Sequence, residues 1–209
     1  MIKNTIKIAL VGQPNVGKSM LINSISNARL KVGNFSGVTV SKEQVFFDYK
    51  NFHIEIVDLP GAYSLNDYTI EEKVTKDFLN NEKYDIILNV LDSTNLQRNL
   101  LLTAELLTLD KKMIIALNMS DEAEKESILI DEIQLSKILG KPCIKTSAAK
   151  KIGITKLLDE ILLKFQSQKV PSKFFFSNVI EEEIENISRV LEENKYETTE
   201  TYRQISLGL

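Results

Sequence analysis

Gly12-Gln13-Pro14-Asn15-Val16-Gly17-Lys18-Ser19 fits the pattern G-x-x-x-x-G-K-[ST], a set of residues suited to holding a chain of phosphates. Glycines let the main chain wrap closely, so that successive N–H groups face phosphate oxygens. A helix starting at the end of the loop adds a favourable field for an anion. Lys18 is then placed to bridge the β- and γ-phosphates, and Ser19 to hold Mg2+. A glycine turn with a chance lysine would not need this context, in which an apolar run ends at Gly12 and a helical pattern begins at Gly17.

Three later stretches bear on which nucleotide is held. Asp58-Leu59-Pro60-Gly61 offers a carboxylate for the Mg2+ shell and a glycine N–H for the γ-phosphate. Asn118-Met119-Ser120-Asp121 offers an aspartate that can accept hydrogen bonds from guanine's ring N–H and exocyclic amine. Adenine lacks both donors, and a polar site left unpaired discriminates by up to ~10⁴-fold. Ser147-Ala148-Ala149 offers backbone to receive the guanine carbonyl. Alone, Asp-x-x-Gly is a common turn, and Asn118 or Asp121 a loop or helix cap. In this order, each after an apolar run, they describe a GTP site.

The runs that must position these residues are short and rich in branched residues: 6–12, 45–49, 53–59, 85–92, 112–119 and 142–147. They read as strands of a covered sheet. Helical periodicity falls at 17–28, 69–80, 97–109, 131–139 and 154–166. Only "KNF" separates the second and third strands, which predicts a hairpin. The remaining alternation predicts an α/β fold: a mostly parallel six-stranded sheet flanked by helices, with one antiparallel edge strand. Such sheets bind ligands at the carboxyl ends of their strands. After residue 166 the character changes. "QSQKVPSK" reads as a linker broken by Pro171. Ile180, Ile184, Ile187 and Leu191 then share one helical face, with Asn178 and Glu181 resembling a capping start. "ETTETYRQISLGL" reads as a further helix cut short. The expected division is 1–166 for the nucleotide domain and 167–209 for a linker and a truncated all-helical appendage.

Bulk properties narrow the partners. The net charge is −3 and the pI near 5.4, so no footprint for nucleic acid or an anionic membrane is present. A single cysteine, Cys143, excludes an internal disulfide framework and a Cys-rich zinc site. No apolar run reaches the ~20 residues of a membrane helix, and the N-terminus lacks a signal-peptide layout. The chain as given is therefore expected to be soluble and cytoplasmic. Cys143 reads as a small buried residue and His53, at the start of a strand, as structural.

Residues 1–166 resemble the translation-factor-like P-loop GTPases. That resemblance makes "KVGNFSGVTVSKEQ" (31–44) the first switch, with Gly37, Val38 and Thr39 at the nucleotide and Thr39 closing on Mg2+ and the γ-phosphate. It makes 58–73 the second switch, both being ordered by the γ-phosphate and released on hydrolysis. Two positions depart from the common pattern. Ala62 stands where many relatives carry a water-orienting glutamine, and Met119 replaces the lysine of Asn-Lys-x-Asp. The first implies slow hydrolysis or a substitute group, and the second weaker nucleotide holding and fast release. In several similar GTPases an asparagine at the place of Asn15 binds K+ beside the phosphates, where the cation offsets transition-state charge. Asn15 is otherwise a turn-stabilising residue. In the second switch, Glu71 and Glu72 read as an exposed first helical turn, the other reading being a role in water positioning or closure.

"GQPNVGKSMLIN", "VGNFSGVTVSK", "DLPGAYSL", "YTIEEKV" and "NMSDEA" together resemble the cytosolic N-terminal region of the bacterial ferrous iron transport protein B family. Phe35 and Ser36 stand where that family often has tryptophan and proline. The resemblance implies a slowly hydrolysing, K+-stimulated GTPase that uses Mg2+ on the cytoplasmic face of the bacterial cell membrane. It also implies a helical domain linked to nucleotide affinity, a transmembrane permease portion of the same native chain as partner, and self-association in a transporter oligomer. The competing readings are a stand-alone GTPase of ribosome assembly or tRNA modification, and a purely regulatory nucleotide-binding module.

Overall fold

A computed structural model describes residues 4–25, 29–35, 38–168, 175–198 and 201–208. Among the described residues a seven-stranded sheet carries helices on both faces. Its strands are β1 (Asn4–Val11), β2 (Arg29–Asn34), β3 (Ser41–Tyr49), β4 (Phe52–Asp58), β5 (Ile86–Asp92), β6 (Met113–Asn118) and β7 (Cys143–Lys145), in the order β2-β3-β4-β1-β5-β6-β7. From β4 to β7 neighbours run parallel, while β3 is antiparallel to both β2 and β4. The helices are α1 (Lys18–Asn23), α2 (Ile70–Asn81), α3 (Leu96–Leu107), α4 (Ser120–Lys125), α5 (Glu132–Leu139), α6 (Ile154–Gln166), α7 (Asn178–Glu193) and α8 (Tyr202–Gly208).

Alternation along the central strands assigns the two cores. On β1, Ile6, Ile8 and Leu10 face α1 and α6, packing with Leu21, Ile22, Leu157 and Ile161. Ala9 and Val11 face the other way, towards Val74 and Phe78 of α2 and Leu102 and Leu106 of α3. All six residues of β6 are buried, as a strand covered on both faces requires. Each such leucine or isoleucine contributes about 1.5–3 kcal/mol on leaving water. This double cover fixes the strand ends rigidly, and the loops that follow them carry the candidate site.

The sheet has one strand more than the sequence predicts. The start of the expected first switch, 31–34, is part of β2, which pairs with β3 from Arg29↔Phe46 to Asn34↔Ser41. Glycine and asparagine made this stretch read as a loop, but the main-chain partners that β3 supplies override composition. The antiparallel strand is consequently second from the edge. At the opposite edge, α5 guards β7: Cys143 N–H donates to Ser136 Oγ (2.8 Å) and Lys145 N–H to Glu132 Oε2 (3.2 Å), blunting an otherwise open ladder. Cys143 is buried, and burial pushes its thiol up to about 11. His53 pairs with Asp48 (2.9 Å) and stacks on Phe46.

In the appendage, α7 and α8 pack together. Glu181 accepts from Arg203 at 2.6 and 2.8 Å, and Ile184 is buried. Ile187 and Leu191 are half-buried, while Ile180 is exposed. The N-cap is Ser177, one residue before the expected Asn178, and Glu181 reaches back to the Phe176 N–H (2.7 Å). Pro171 lies outside the described residues.

Candidate functional site

The phosphate loop leaves β1 and enters α1 through two left-handed residues, Asn15 (φ 67°) and Gly17 (φ 86°). Glycine is required at 17 twice over: by its φ, and because a Cβ there would lie 2.5 Å from Asn118 Nδ2. At Gly12 a Cβ would meet the Val90 carbonyl of β5 at 2.5 Å, so the loop rests directly on the sheet. Lys18 Nζ donates to the Gly12 carbonyl (3.2 Å), curling over the loop as a phosphate ligand must. Burial lowers the Lys18 pKa, opposed by the nearby Asp58 carboxylate. Val16 is buried beneath the loop, whereas Asn15 and Ser19 are exposed. Among the described residues the Asn15 side chain makes no hydrogen bond, so no turn contact occupies it.

Asp58 ends β4, registered beside Leu10 of β1 and Glu43 of β3. Its Oδ1 is buried and has no hydrogen-bond partner among the described residues. Burial raises its pKa to about 6, with Lys18 opposing and Glu43 adding to the shift. An orphaned carboxylate oxygen beside a phosphate-loop lysine suits a cation's shell. Leu59 is buried, its N–H donating to the Leu10 carbonyl (3.0 Å). The Pro60 carbonyl accepts from Thr75 Oγ1 (3.1 Å). Gly61 abuts the phosphate loop: a Cβ there would come within 2.9–3.0 Å of Pro14.

Asn118 joins the two halves of the site. It is 1% exposed. Its Nδ2 donates to the Val16 carbonyl (2.9 Å), and its Oδ1 accepts from Ala148 N–H (3.1 Å) and Thr146 Oγ1 (3.4 Å). Met119 adopts φ 57° and starts α4, a short helix that the sequence reading missed. Its Cε lies 3.6 Å from where a Gly17 Cβ would be, so the thioether covers the phosphate loop from the side. Ser120 N–H donates to the Thr146 carbonyl (3.1 Å), which aims α4 and Asp121 across the loop after β7. A hydrogen bond from Ser147, then Lys150 at 3.2 Å, holds the Asp121 carboxyl below its ordinary range. It is therefore ionised and acceptor-only at neutral pH, as guanine's two donors require.

Ser147 and Ile152 close their loop by reciprocal backbone bonds of 3.0 Å. Gly153 (φ 76°) permits the closure, since a Cβ would sit 2.1 Å from the Lys145 carbonyl. The glycine in "KKIGITKL" was the available signal for this turn. The Ala148 N–H, expected to face a base carbonyl, here donates to Asn118, while Ala149 follows it in the same loop.

Nineteen of the twenty-two expected residues therefore gather at the carboxyl ends of β1, β4, β6 and β7 or near them, the three exceptions being those of the expected first switch. Thr39 is exposed in the turn between β2 and β3, with Val38 half-buried, and no hydrogen bond joins Thr39 to the phosphate loop among the described residues. Gly37 and Ser36 lie outside the described residues. The exposed-turn reading fails at Glu72. Glu71 is exposed, but Glu72 is 5% exposed, and its Oε1 accepts from Ser64 N–H (3.2 Å) and Ser64 Oγ (3.3 Å). Helix α2 starts at Ile70, one residue after the expected 69, with Thr69 as its N-cap accepting from Glu72 N–H (3.1 Å). The sequence reading also missed Glu105, which accepts from Leu65 N–H (2.7 Å). Gln13, expected among the nucleotide-binding residues of the phosphate loop, has a buried side chain that donates through Nε2 to the Arg98 carbonyl (2.8 Å).

Comparison with known proteins gives the following. Residues 6–161 match the family model described as "Ferrous iron transport protein B". A Fe(2+) transporter FeoB of Helicobacter pylori strain 26695 is 58% identical over 180 residues, covering 81% of this chain and 28% of that protein. The Fe(2+) transporter FeoB of Campylobacter jejuni is 53% identical over 176 residues, 84% of this chain and 29% of that protein. The chain thus spans less than a third of the curated relatives it matches. Among solved structures, the cytosolic domain of the T. maritima FeoB iron transporter superposes in its GDP form II with a TM-score of 0.90 at 34% identity, covering 98% of this chain and 80% of that one. Its GMPPNP form gives 0.87 at 35% identity, covering 97% and 79%.

Proposed function

The chain belongs to the ferrous iron transport protein B family, and from that premise we propose that it is the GTP-binding and slowly hydrolysing cytosolic switch region of a ferrous-iron membrane transporter. The observation that carries this reading is the Asn118 side chain, which ties the phosphate loop at Val16 to the base-reading loop at Ala148. One rigid bracket then serves triphosphate and guanine together. Residues 1–166 form the nucleotide domain in this proposal, and 167–209 a linker with the start of a helical domain that modulates nucleotide affinity.

In the proposed reaction a water oxygen forms a bond to the γ-phosphorus as the bond to the β-phosphate oxygen breaks, and charge spreads over the phosphate oxygens. Lys18 and the main-chain N–H groups of 12–13 and 15–19 stabilise that charge. Ser19, Thr39 and Asp58 would hold Mg2+, which supplies further positive charge at the β- and γ-oxygens when bound. The buried, unpartnered Asp58 Oδ1 fits that role. Thr39 is exposed with no hydrogen bond to the phosphate loop among the described residues, and its closing on the cation would be the conformational half of the switch. Asn15, exposed at the rim and without a hydrogen-bond partner among the described residues, would hold K+, which adds charge where an arginine would otherwise reach. The methyl of Ala62 cannot orient water, and in this reading the main chain of 60–65 would take that part. Movement of the two switches on GTP binding and hydrolysis would relay the state to the permease portion of the native chain, with self-association as a further expectation.

Multiple-turnover phosphate release from GTP tests the reading. We expect turnover with Mg2+, raised about tenfold or more by K+ over Na+, and an Asn15→Ala protein without the K+ gain. No turnover in either salt would reduce the chain to a nucleotide-binding module. Equal turnover in both would remove K+ from Asn15. A second expectation concerns Met119, whose methyl covers Gly17. Met119→Lys keeps an apolar stem and adds charge beside the phosphates, so GDP binding should tighten about threefold to tenfold by calorimetry. Unchanged affinity would show that methionine does not weaken nucleotide holding.

A further inference from the structure

The second switch is held at each step from residue 60 to 65, and one hold differs from the rest. Pro60 is fixed by Thr75, Gly61 by contact with Pro14, and Ala62 by complete burial. Ser64 is fixed by Glu72, and Leu65 by Glu105. These are buried or half-buried contacts. Tyr63, 44% exposed, is held instead by the Arg98 guanidinium, centred 4.7 Å from its ring centroid. Arg98 is itself exposed, and among the described residues no carboxylate pairs with it. A cation over a tyrosine face is attracted by the ring quadrupole, while enough water remains for the contact to open and close.

The other end of Arg98 is fixed. Its main-chain carbonyl accepts from the buried Gln13 side chain of the phosphate loop. The first turn of α3 around it is braced from β5. Asp92 Oδ1 accepts from Thr94 N–H (2.8 Å) and Thr94 Oγ1 (2.7 Å), Asn99 Nδ2 donates to the Asn95 carbonyl (2.8 Å), and Asn89 Nδ2 donates to Thr103 Oγ1 (2.8 Å). One residue on a rigid helix therefore touches both the phosphate loop, through its backbone, and the second switch, through its side chain.

We propose that Arg98 is a positioning residue for GTP hydrolysis, acting through Tyr63 to set the main chain of 62–65 against the phosphate loop. The proposal rests on the GTPase reading above. With alanine at 62, nothing on that side chain corrects a misplaced loop, so the Tyr63 clamp matters more than in a site with its own water-orienting glutamine. Neither Arg98 nor Tyr63 belongs to the phosphate loop or to the 118–121 and 147–149 stretches. Loss of the clamp should lower kcat while nucleotide affinity stays within about twofold.

Single-turnover and steady-state GTP hydrolysis would be measured for wild type, Arg98→Ala, Tyr63→Leu, Tyr63→Phe and the Arg98→Ala/Tyr63→Leu double variant, alongside GDP affinity and melting temperature. Arg98→Ala and Tyr63→Leu should each lower kcat about threefold to tenfold, and Tyr63→Phe, which keeps the ring, should retain wild-type kcat. Arg98→Ala should cost nothing further once Tyr63 is leucine. An undiminished kcat in Arg98→Ala overturns the proposal. So does an equal loss from Arg98→Ala in the Tyr63→Leu background, which would mean that the guanidinium acts elsewhere. A fall in kcat that follows a fall in melting temperature or GDP affinity overturns it too, by making the contact structural. Absence of turnover in wild type would instead overturn the GTPase reading and this inference with it, and is recognised before any variant is compared.

Discussion

Asn118→Ala is expected to weaken GDP binding by roughly a thousandfold and to cost about 2–4 kcal/mol of folding stability. The side chain is buried and carries three hydrogen bonds between segments distant in the sequence. Truncation leaves the Val16 carbonyl without its donor, and the Ala148 N–H and Thr146 hydroxyl without their acceptor. Each buried group left unpaired costs about 1–3 kcal/mol, reduced where water enters the gap. The affinity loss is larger than the stability loss because both halves of the site lose their common reference. The phosphate loop is no longer set against the 146–148 loop, and each must be ordered again by the nucleotide. Calorimetric GDP titration and urea unfolding check the two numbers separately. GDP affinity within about threefold of wild type would show that the loops are held without this bracket. Asn118→Asp makes a sharper control: it keeps the acceptor for Ala148 but points a second oxygen at the Val16 carbonyl. It should lose affinity while sparing part of the 146–148 loop.

How far the site could be read from residue types depended on whether a residue's chemistry is local. Gly12, Gly17, Lys18, Asp58, Asn118 and Asp121 stand out because each carries its constraint in its own type and neighbours: a left-handed φ, a cation at a helix start, a carboxylate after an apolar run. The sheet was legible for the same reason, since β1, β5 and β6 are apolar on both faces. What stayed hidden depends on distant partners. Strand β2 contains glycine and asparagine and exists because β3 offers it a ladder. Glu72 resembles any acidic residue in a first helical turn until Ser64 is seen to fold onto it. Gln13 looks like loop filling until the carbonyl of Arg98, 85 residues away, receives its amide. Gly153 was detectable in principle, as a glycine just before an apolar helical period, and its closeness to the Lys145 carbonyl explains why no other residue suits.

The Asp121→Asn variant is expected to lose GDP affinity by about 10³–10⁴-fold and to gain affinity for xanthosine diphosphate. The wild-type carboxylate is acceptor-only, and both groups it meets in this structure, the Ser147 hydroxyl and the Lys150 ammonium, are donors. Guanine presents two donors of its own, the ring N–H and the exocyclic amine, and would take over these positions as the half-exposed Lys150 swings away. An asparagine offers one acceptor and one donor, so its amide N–H groups would oppose the guanine amine. Xanthine replaces that amine with a carbonyl, which accepts from the amide while the ring N–H still donates to its oxygen. The exchange is therefore a reversal of one hydrogen bond, with no change in volume. Folding should be nearly unaffected, because Asp121 begins a short helix on the rim and its fastening to the sheet runs through Ser120 N–H and the Thr146 carbonyl. Paired titrations with the two diphosphates, on wild type and variant, separate the possibilities. A variant that loses GDP and gains the xanthine nucleotide makes Asp121 the base-reading group. Equal weakening of both nucleotides would mean that Asp121 only braces the 147–152 loop through Ser147 and Lys150. In that case the guanine preference would have to come from the backbone of Ser147, Ala148 and Ala149 instead.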